Sequence, residues 1–391
     1  MTCASALQAQ DGAPTAADAQ APSQANWSNA RPEVLGLTLQ RRGAHSEWRL
    51  LSRLSAGTTA DDHAGRAATD RAPQQVLAQG SLDACQRVLA ATLLKRHGSG
   101  RINLPLPTLG GAQLWADVFW HGGWRIQRHV ITFHHRLLDA DDTRRAWGTA
   151  EACRAVFEQA RADGRVPYQA PHQLVLLLHG LGRTRGSLQG LDDALRREGL
   201  HTLALSYPST RASIEEHAAR ISGLIEQLEG VQRISFVTHS LGGIVARALL
   251  ARPAGWRERL ALGRVVMLAP PNRGSALAAA LNGLIFEAAL GPSGQQLASD
   301  AIARLPAPPC PFGIVAAGRG TSDGYNPLLP GDDDGVVSVQ EALLPGAADT
   351  LIVEGLHTFL MDNEDVHAAT ARFLRTGRFA EPADEHERLR R

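Results

Sequence analysis

An excess of charge of either sign is what this sequence most plainly lacks: 40 basic side chains meet 39 acidic ones, for a formal net charge of +1. That balance leaves no bulk electrostatic case for nucleic acid or an anionic membrane. Lysine is nearly absent too, Lys95 being the only one, which is a bias of composition rather than of function. Cysteine is scarce. Cys3, Cys85, Cys153 and Cys310 lie far apart, with no C-x-x-C and no histidine at ligand spacing, so neither a disulfide framework nor a zinc site is expected. No apolar run is long enough to span a bilayer. The start of the chain shows no basic n-region and no apolar h-region. The expectation is a cytoplasmic protein, with its oligomeric state left open.

What is present falls into four stretches. Residues 1–30 are rich in Ala, Gln, Asp, Ser and Pro, with almost nothing to bury, and read as a disordered tail. Residues 31–168 read as an α+β region of unknown role. Within it, Leu82 to Leu94 has helical periodicity with Ser81 as N-cap. Leu114–Trp120 and Trp124–Arg128 flank His121-Gly122-Gly123 as a hairpin, and Thr149 caps a helix toward Gly164. Six of the seven tryptophans precede residue 165; such clusters more often fill a small core or cover a neighbouring domain than mark a ligand face. Residues 379–391 are a charged tail.

Residues 169–378 alternate apolar strands and helices. The strands are Leu174–Leu178, Thr202–Ser206, Arg233–Thr238, Arg264–Leu268, Phe312–Ala316 and Thr350–Val353. Near-continuous apolar strands separated by helices predict an α/β fold, a mostly parallel sheet with helices on both faces. Such sheets carry their chemistry at the carboxyl ends of the strands. Thr238-His-Ser240-Leu-Gly242-Gly243 stands between a strand and a helix, the setting of a nucleophile elbow, although Thr238 occupies the first glycine position of G-x-S-x-G.

Other strand ends add to this. The first runs into His179-Gly180-Leu181-Gly182-Arg183. A dinucleotide loop is disfavoured there, because the glycine spacing is not G-x-G-x-x-G and the next strand ends in Ser206-Tyr207-Pro208 without a ribose-binding acid. A later loop holds Asp332-Asp333-Asp334-Gly335, which lacks the D-x-D-x-D-G order of a calcium loop. The last strand is followed by His357. The order serine, aspartate, histidine is the hydrolase order rather than either protease order.

With Leu178-His-Gly-Leu-Gly182, Leu268-Ala-Pro-Pro-Asn-Arg-Gly-Ser275, Asp334-Gly-Val-Val337 and Leu356-His-Thr-Phe-Leu360, this part of the chain resembles the lipase and esterase branch of the α/β-hydrolase superfamily. The resemblance implies a serine hydrolase of carboxylic esters that forms an acyl-enzyme. Ser240 would be the nucleophile, His357 the base and Asp334 the group that orients it. The backbone N–H groups of Leu181 and Leu241 would form the oxyanion hole, and neither cofactor nor metal is called for. Asp334 is preferred over Asp323, Asp332 and Asp333 because it directly precedes Gly335; Asp332 and Asp333 are expected to be solvated. A helical insert from Ser275 to about Leu290 presents Leu277, Leu281, Leu284 and Ala288 as one apolar stripe, read as acyl-pocket wall or lid, or else as plain cover for the sheet. The expected substrate is a small-molecule or lipid ester with a neutral, hydrophobic acyl group. An acyltransferase or amidase with the same triad, or a silent binding protein on this scaffold, are the alternatives.

Overall fold

Leu174 to Leu178 is apolar at every position because both sides of that segment are buried. Leu174, Leu176 and Leu178 enter one core, and Val175 and Leu177 enter another. A computed structural model describes residues 27–29, 37–42, 47–53, 74–97, 113–166, 169–280, 284–298 and 300–380. The chain divides into two compact units, Met1–Leu89 and Ala90–Arg391, and the division falls inside the stretch 31–168.

In the first unit, β1 (Trp27–Asn29), β2 (Leu37–Arg42), β3 (Glu47–Arg53) and β4 (Gln74–Gly80) form an antiparallel sheet in that order. Residues 1–26 of the expected tail lie outside the described residues. Trp27–Asn29, expected to belong to that tail, instead pair with β2, where the ladder satisfies their main-chain groups. Helix α1 (Leu82–His97) follows, with the Ser81 hydroxyl accepting from the Ala84 N–H at 3.2 Å as its cap.

The second unit, which starts within α1, goes on to β5 (Trp115–His121), β6 (Trp124–His129), β7 (His135–Leu138) and β8 (Arg144–Gly148), again antiparallel in sequence order. Gly122 and Gly123 have φ of 56° and 85°, the two positive values that a tight hairpin turn requires. Thr149 caps α2 (Ala150–Ala162). Its Cys153 and Phe157 pack with Phe119 and Trp124 in a small core, while Trp120 packs against the main one.

The remainder runs β9 (Gln173–Leu178), α3 (Gln189–Arg197), β10 (Thr202–Ala204), α4 (Ile214–Ile225), β11 (Arg233–His239), α5 (Leu241–Ala251), β12 (Ala261–Leu268), α6 (Ala276–Ala280), α7 (Leu284–Leu297), β13 (Phe312–Gly318), α8 (Val339–Ala342), β14 (Asp349–Glu354) and α9 (Glu364–Thr376). The six strands form a parallel sheet in the order β10-β9-β11-β12-β13-β14. Helices α4 and α5 cover one face and α3 and α9 the other. This is the α/β-hydrolase arrangement with antiparallel sheets before it. At the β10 edge, the Asp117 N–H donates to the Ser206 carbonyl at 2.8 Å and the Ser206 N–H to Asp117 Oδ2 at 2.7 Å. The β5–β8 sheet therefore adjoins the parallel one.

The expected insert is helical over α6 and the first part of α7, with residues 281–283 outside the described residues. Gly291, at φ 66° and ψ −174°, breaks α7, and a Cβ there would run into the Thr210 carbonyl. Beyond the break, the Ser293 hydroxyl donates to Ala212 O at 2.8 Å, and Gln296 Oε1 accepts from the Ile214 N–H at 2.7 Å. Among the described residues, no helix is long and apolar enough to cross a membrane.

Candidate active site

Strand β11 delivers Ser240 into a left-handed backbone conformation, φ 52° and ψ −123°, which a residue with a side chain adopts only under strain. Its N–H donates to Leu268 O at 2.9 Å, fastening the turn to the end of β12. Gly242 is required because α5 starts against β9, where a Cβ would collide with the Leu178 carbonyl. The Thr238 hydroxyl donates to Val266 O at 3.3 Å. A Cβ on Gly243 would stand 3.0 Å from Pro270 Cβ, so that glycine lets α5 pack against the chain just after β12.

Asp334 and His357 meet across the ends of β13 and β14. Asp334 Oδ2 accepts from His357 Nδ1–H at 2.7 Å, and Oδ1 accepts from the N–H groups of Val337 at 2.7 Å and Val336 at 3.0 Å. The main chain repeats the pairing, with the His357 N–H donating to Asp334 O at 2.9 Å. Gly335, at φ 94°, makes the turn that lets the next two N–H groups reach back to the carboxylate. Because a carboxylate can only accept, Nδ1 carries the proton and Nε2 is the bare ring nitrogen.

The neighbouring aspartates depart from expectation. Asp333 is fully buried, its Oδ1 accepting from the Gly335 N–H at 2.7 Å and the Asn326 N–H at 3.0 Å. Asp332 accepts from the N–H groups of Arg319 at 2.7 Å and Gly320 at 3.2 Å. A long loop must satisfy its own main-chain donors, and these two side chains do so, Asp333 buried and Asp332 half-buried. Asp323 is exposed.

The loop after β9 lies over the elbow. A Cβ on Gly180 would stand 3.2 Å from Ser240 Cβ and 3.0 Å from His239 Nδ1. His179 Nδ1–H donates to Gly180 O at 2.9 Å, and the Gly182 N–H donates to the Ser209 hydroxyl at 2.9 Å. Leu241 opens α5, so its N–H has no acceptor upstream in the helix. Ser240, His357, Gly180, Leu181, Leu277 and Leu297 are among the residues lining one cavity of about 250 Å³. Of the expected acyl wall, Leu277 lines this cavity, Leu281 lies outside the described residues, and Leu284 is described only as the backbone start of α7.

A family model described as a domain of unknown function (DUF7379) matches residues 136–284, a span that includes Ser240 but neither Asp334 nor His357. A search of curated proteins finds no match. Among solved structures, the chain is similar to a Bacillus licheniformis lipase in its propeptide form, with 17% identity and a TM-score of 0.42 over 50% of this chain and 48% of that one. A Listeria innocua gene product matches at 17% identity and TM-score 0.39, over 54% of this chain and 95% of that one. A thermophilic esterase from Thermogutta terrifontis, with malate bound, matches at 16% identity and TM-score 0.38, over 53% and 91%. The chain thus spans about half the length of the Bacillus lipase.

Three features of the site escape a reading of the sequence. His239 donates from Nε2 to the His357 carbonyl; nothing in the spacing of 118 positions signals it. Arg183 lines the cavity, for which its closeness to the glycine turn was the available signal. Arg247, buried on α5, donates to Asn272 O at 2.8 Å and to the carbonyls of Leu305 and Pro306, while the Asn272 side chain donates to Ala342 O at 2.7 Å. Burial pulls this guanidinium down to about 10. It ties the elbow helix to the loop after β12, and through Asn272 to α8.

Proposed function

We propose that this chain is a serine hydrolase that cleaves carboxylic esters through an acyl-enzyme. The observation that carries the reading is the 2.7 Å bond between His357 Nδ1 and buried Asp334, on a histidine sharing a cavity with a serine in a strained elbow. Ser240 Oγ attacks the ester carbonyl carbon while His357 Nε2 takes its proton. The tetrahedral oxyanion collapses, the alkoxide leaves with that proton, and the acyl group remains on Ser240. Water then attacks, giving its proton to Nε2, and the acid departs as serine is restored. Asp334 keeps the proton on Nδ1 and offsets the imidazolium charge.

The oxyanion is received by the N–H groups of Leu181 and Leu241, a role favoured by the approach of Gly180 to the elbow and by the helix start at Leu241. Losing one such donor costs about 3–4 kcal/mol of transition-state stabilisation. Residues 169–378 form the proposed catalytic domain, a small-molecule or lipid ester is the substrate, and no cofactor is invoked. An acyltransferase would differ only in replacing water by a second alcohol.

The test is turnover of p-nitrophenyl esters of graded chain length by the wild type and Ser240→Ala. The variant should fold as the wild type does by circular dichroism and lose several orders of magnitude in kcat. Near wild-type turnover by Ser240→Ala would reject the proposal.

A further inference from the structure

We infer that Arg183 makes this site selective for esters that carry one anionic oxyacid group, a carboxylate or a phosphate, within an arginine's reach of the scissile bond. The inference rests on the esterase reading above and departs from the sequence-based expectation of a neutral acyl group.

Arg183 is held by its main chain. Its N–H donates to Gly180 O at 3.2 Å, and its carbonyl accepts from Gln113 Nε2. Gln113 is fixed in turn through Oε1, which accepts from the N–H and hydroxyl of Thr210, both at 3.3 Å. The arginine therefore stands at a defined place, two residues beyond the Leu181 N–H, on the wall of the cavity that holds Ser240 and His357. Leu181, Leu277, Leu297, Val336 and Val337 leave the rest of that wall largely apolar.

Among the described residues the Arg183 guanidinium meets no carboxylate, carbonyl or ring. Asp334, the carboxylate behind the cavity, is committed to His357 and two main-chain donors. The charge is felt inside the site, since it adds to the burial and to the His357 charge that keep His239 neutral. A guanidinium with no internal counter-charge beside an apolar reaction cavity is matched by a planar anionic group that accepts its forked donors. The anion would sit on the oxyanion side of the ester, where Arg183 also opposes the negative charge that develops in the transition state.

The experiment compares kcat/KM for matched pairs of substrates. With the anion on the acyl side, the pair is the p-nitrophenyl monoester of adipic acid against p-nitrophenyl hexanoate. With it on the alcohol side, the pair is butyryl glycerol phosphate against butyryl glycerol. Wild type should prefer the anionic member of at least one pair by roughly tenfold or more, and salt should erode that preference. The arm that shows it distinguishes carboxylate on the acid from phosphate on the alcohol. Arg183→Gln should reduce the ratio toward one and Arg183→Glu should invert it; the ratio cancels general damage to the loop. Hydrolysis of the neutral esters with no preference in either arm, or a preference that survives Arg183→Glu, overturns the inference and leaves the esterase reading standing. No turnover of any ester by the wild type overturns both.

Discussion

His239 Nε2 donates to the backbone carbonyl of His357 at 3.1 Å, and the two rings lie 4.7 Å apart at a tilt of 46°. The residue before Ser240 thereby holds the residue that the mechanism needs as its base. His239 is buried, its Nε2 proton is used in this bond, and burial first of all keeps it neutral, as would repulsion from an imidazolium formed on His357. In the proposed mechanism it would position His357 and not act as a second base.

Replacing that donor should separate orientation from binding. His239→Phe keeps a ring in the space and removes the bond, so kcat on an activated ester should fall about tenfold, with KM nearly unchanged. His239→Gln, which restores a donor, should recover part of the loss. An unchanged kcat in His239→Phe would reduce the histidine to packing.

The aspartate loop yields two different phenotypes. Asp334→Asn places a donor where His357 Nδ1–H needs an acceptor, and the equivalent change in a serine protease costs about 10⁴ in kcat. Asp333→Asn turns an amide toward main-chain donors from Asn326 and Gly335. It should destabilise the fold by about 1–3 kcal/mol and lower Tm, with a far smaller effect on kcat below the transition. Asp323→Asn, at an exposed position, should match the wild type in both assays. Thermal melts and ester kinetics on the three proteins decide the matter.

Acid should destabilise the protein through its buried and half-buried histidines. Burial holds His134, His135 and His179 at about 4 and His217 at about 3. The unfolded chain protonates these groups below about 6.5, before the folded chain does. It therefore binds more protons, and stability falls as pH falls. The contribution is complete above about 6.5 and lost progressively toward 4. Urea midpoints measured from pH 7.5 down to 4.5 should decline steadily, and His217→Leu should flatten that decline. A midpoint independent of pH over this range would contradict it.

Much of the parallel-sheet part is legible in the sequence for a definite reason. A parallel sheet buried on both faces must be written as unbroken apolar strands, so β9, β11, β12 and β13 stand out, and Ser240 follows directly after β11. The antiparallel region is harder. The β5–β6 hairpin shows through Gly122-Gly123, but β7 and β8 carry Arg136, Arg144 and Arg145. Arg136 is buried against Gln127, which with Arg125 binds Asp117. Such a polar network makes strands look like loop. Asp333 misleads in the same way, because an aspartate in a polar loop reads as solvated until the loop wraps its own N–H groups around it. The break in α7 at Gly291 goes with the approach of Thr210, about 80 residues earlier, which no local pattern encodes.

A fluorophosphonate probe followed by peptide mapping of the adduct decides whether Ser240 is an activated nucleophile served by His357 and Asp334. The wild type should take one label, on Ser240. Ser240→Ala should take none, and Asp334→Asn should react far more slowly than the wild type. An unlabelled wild type, a label on another residue, or equal labelling of Ser240→Ala would contradict the account.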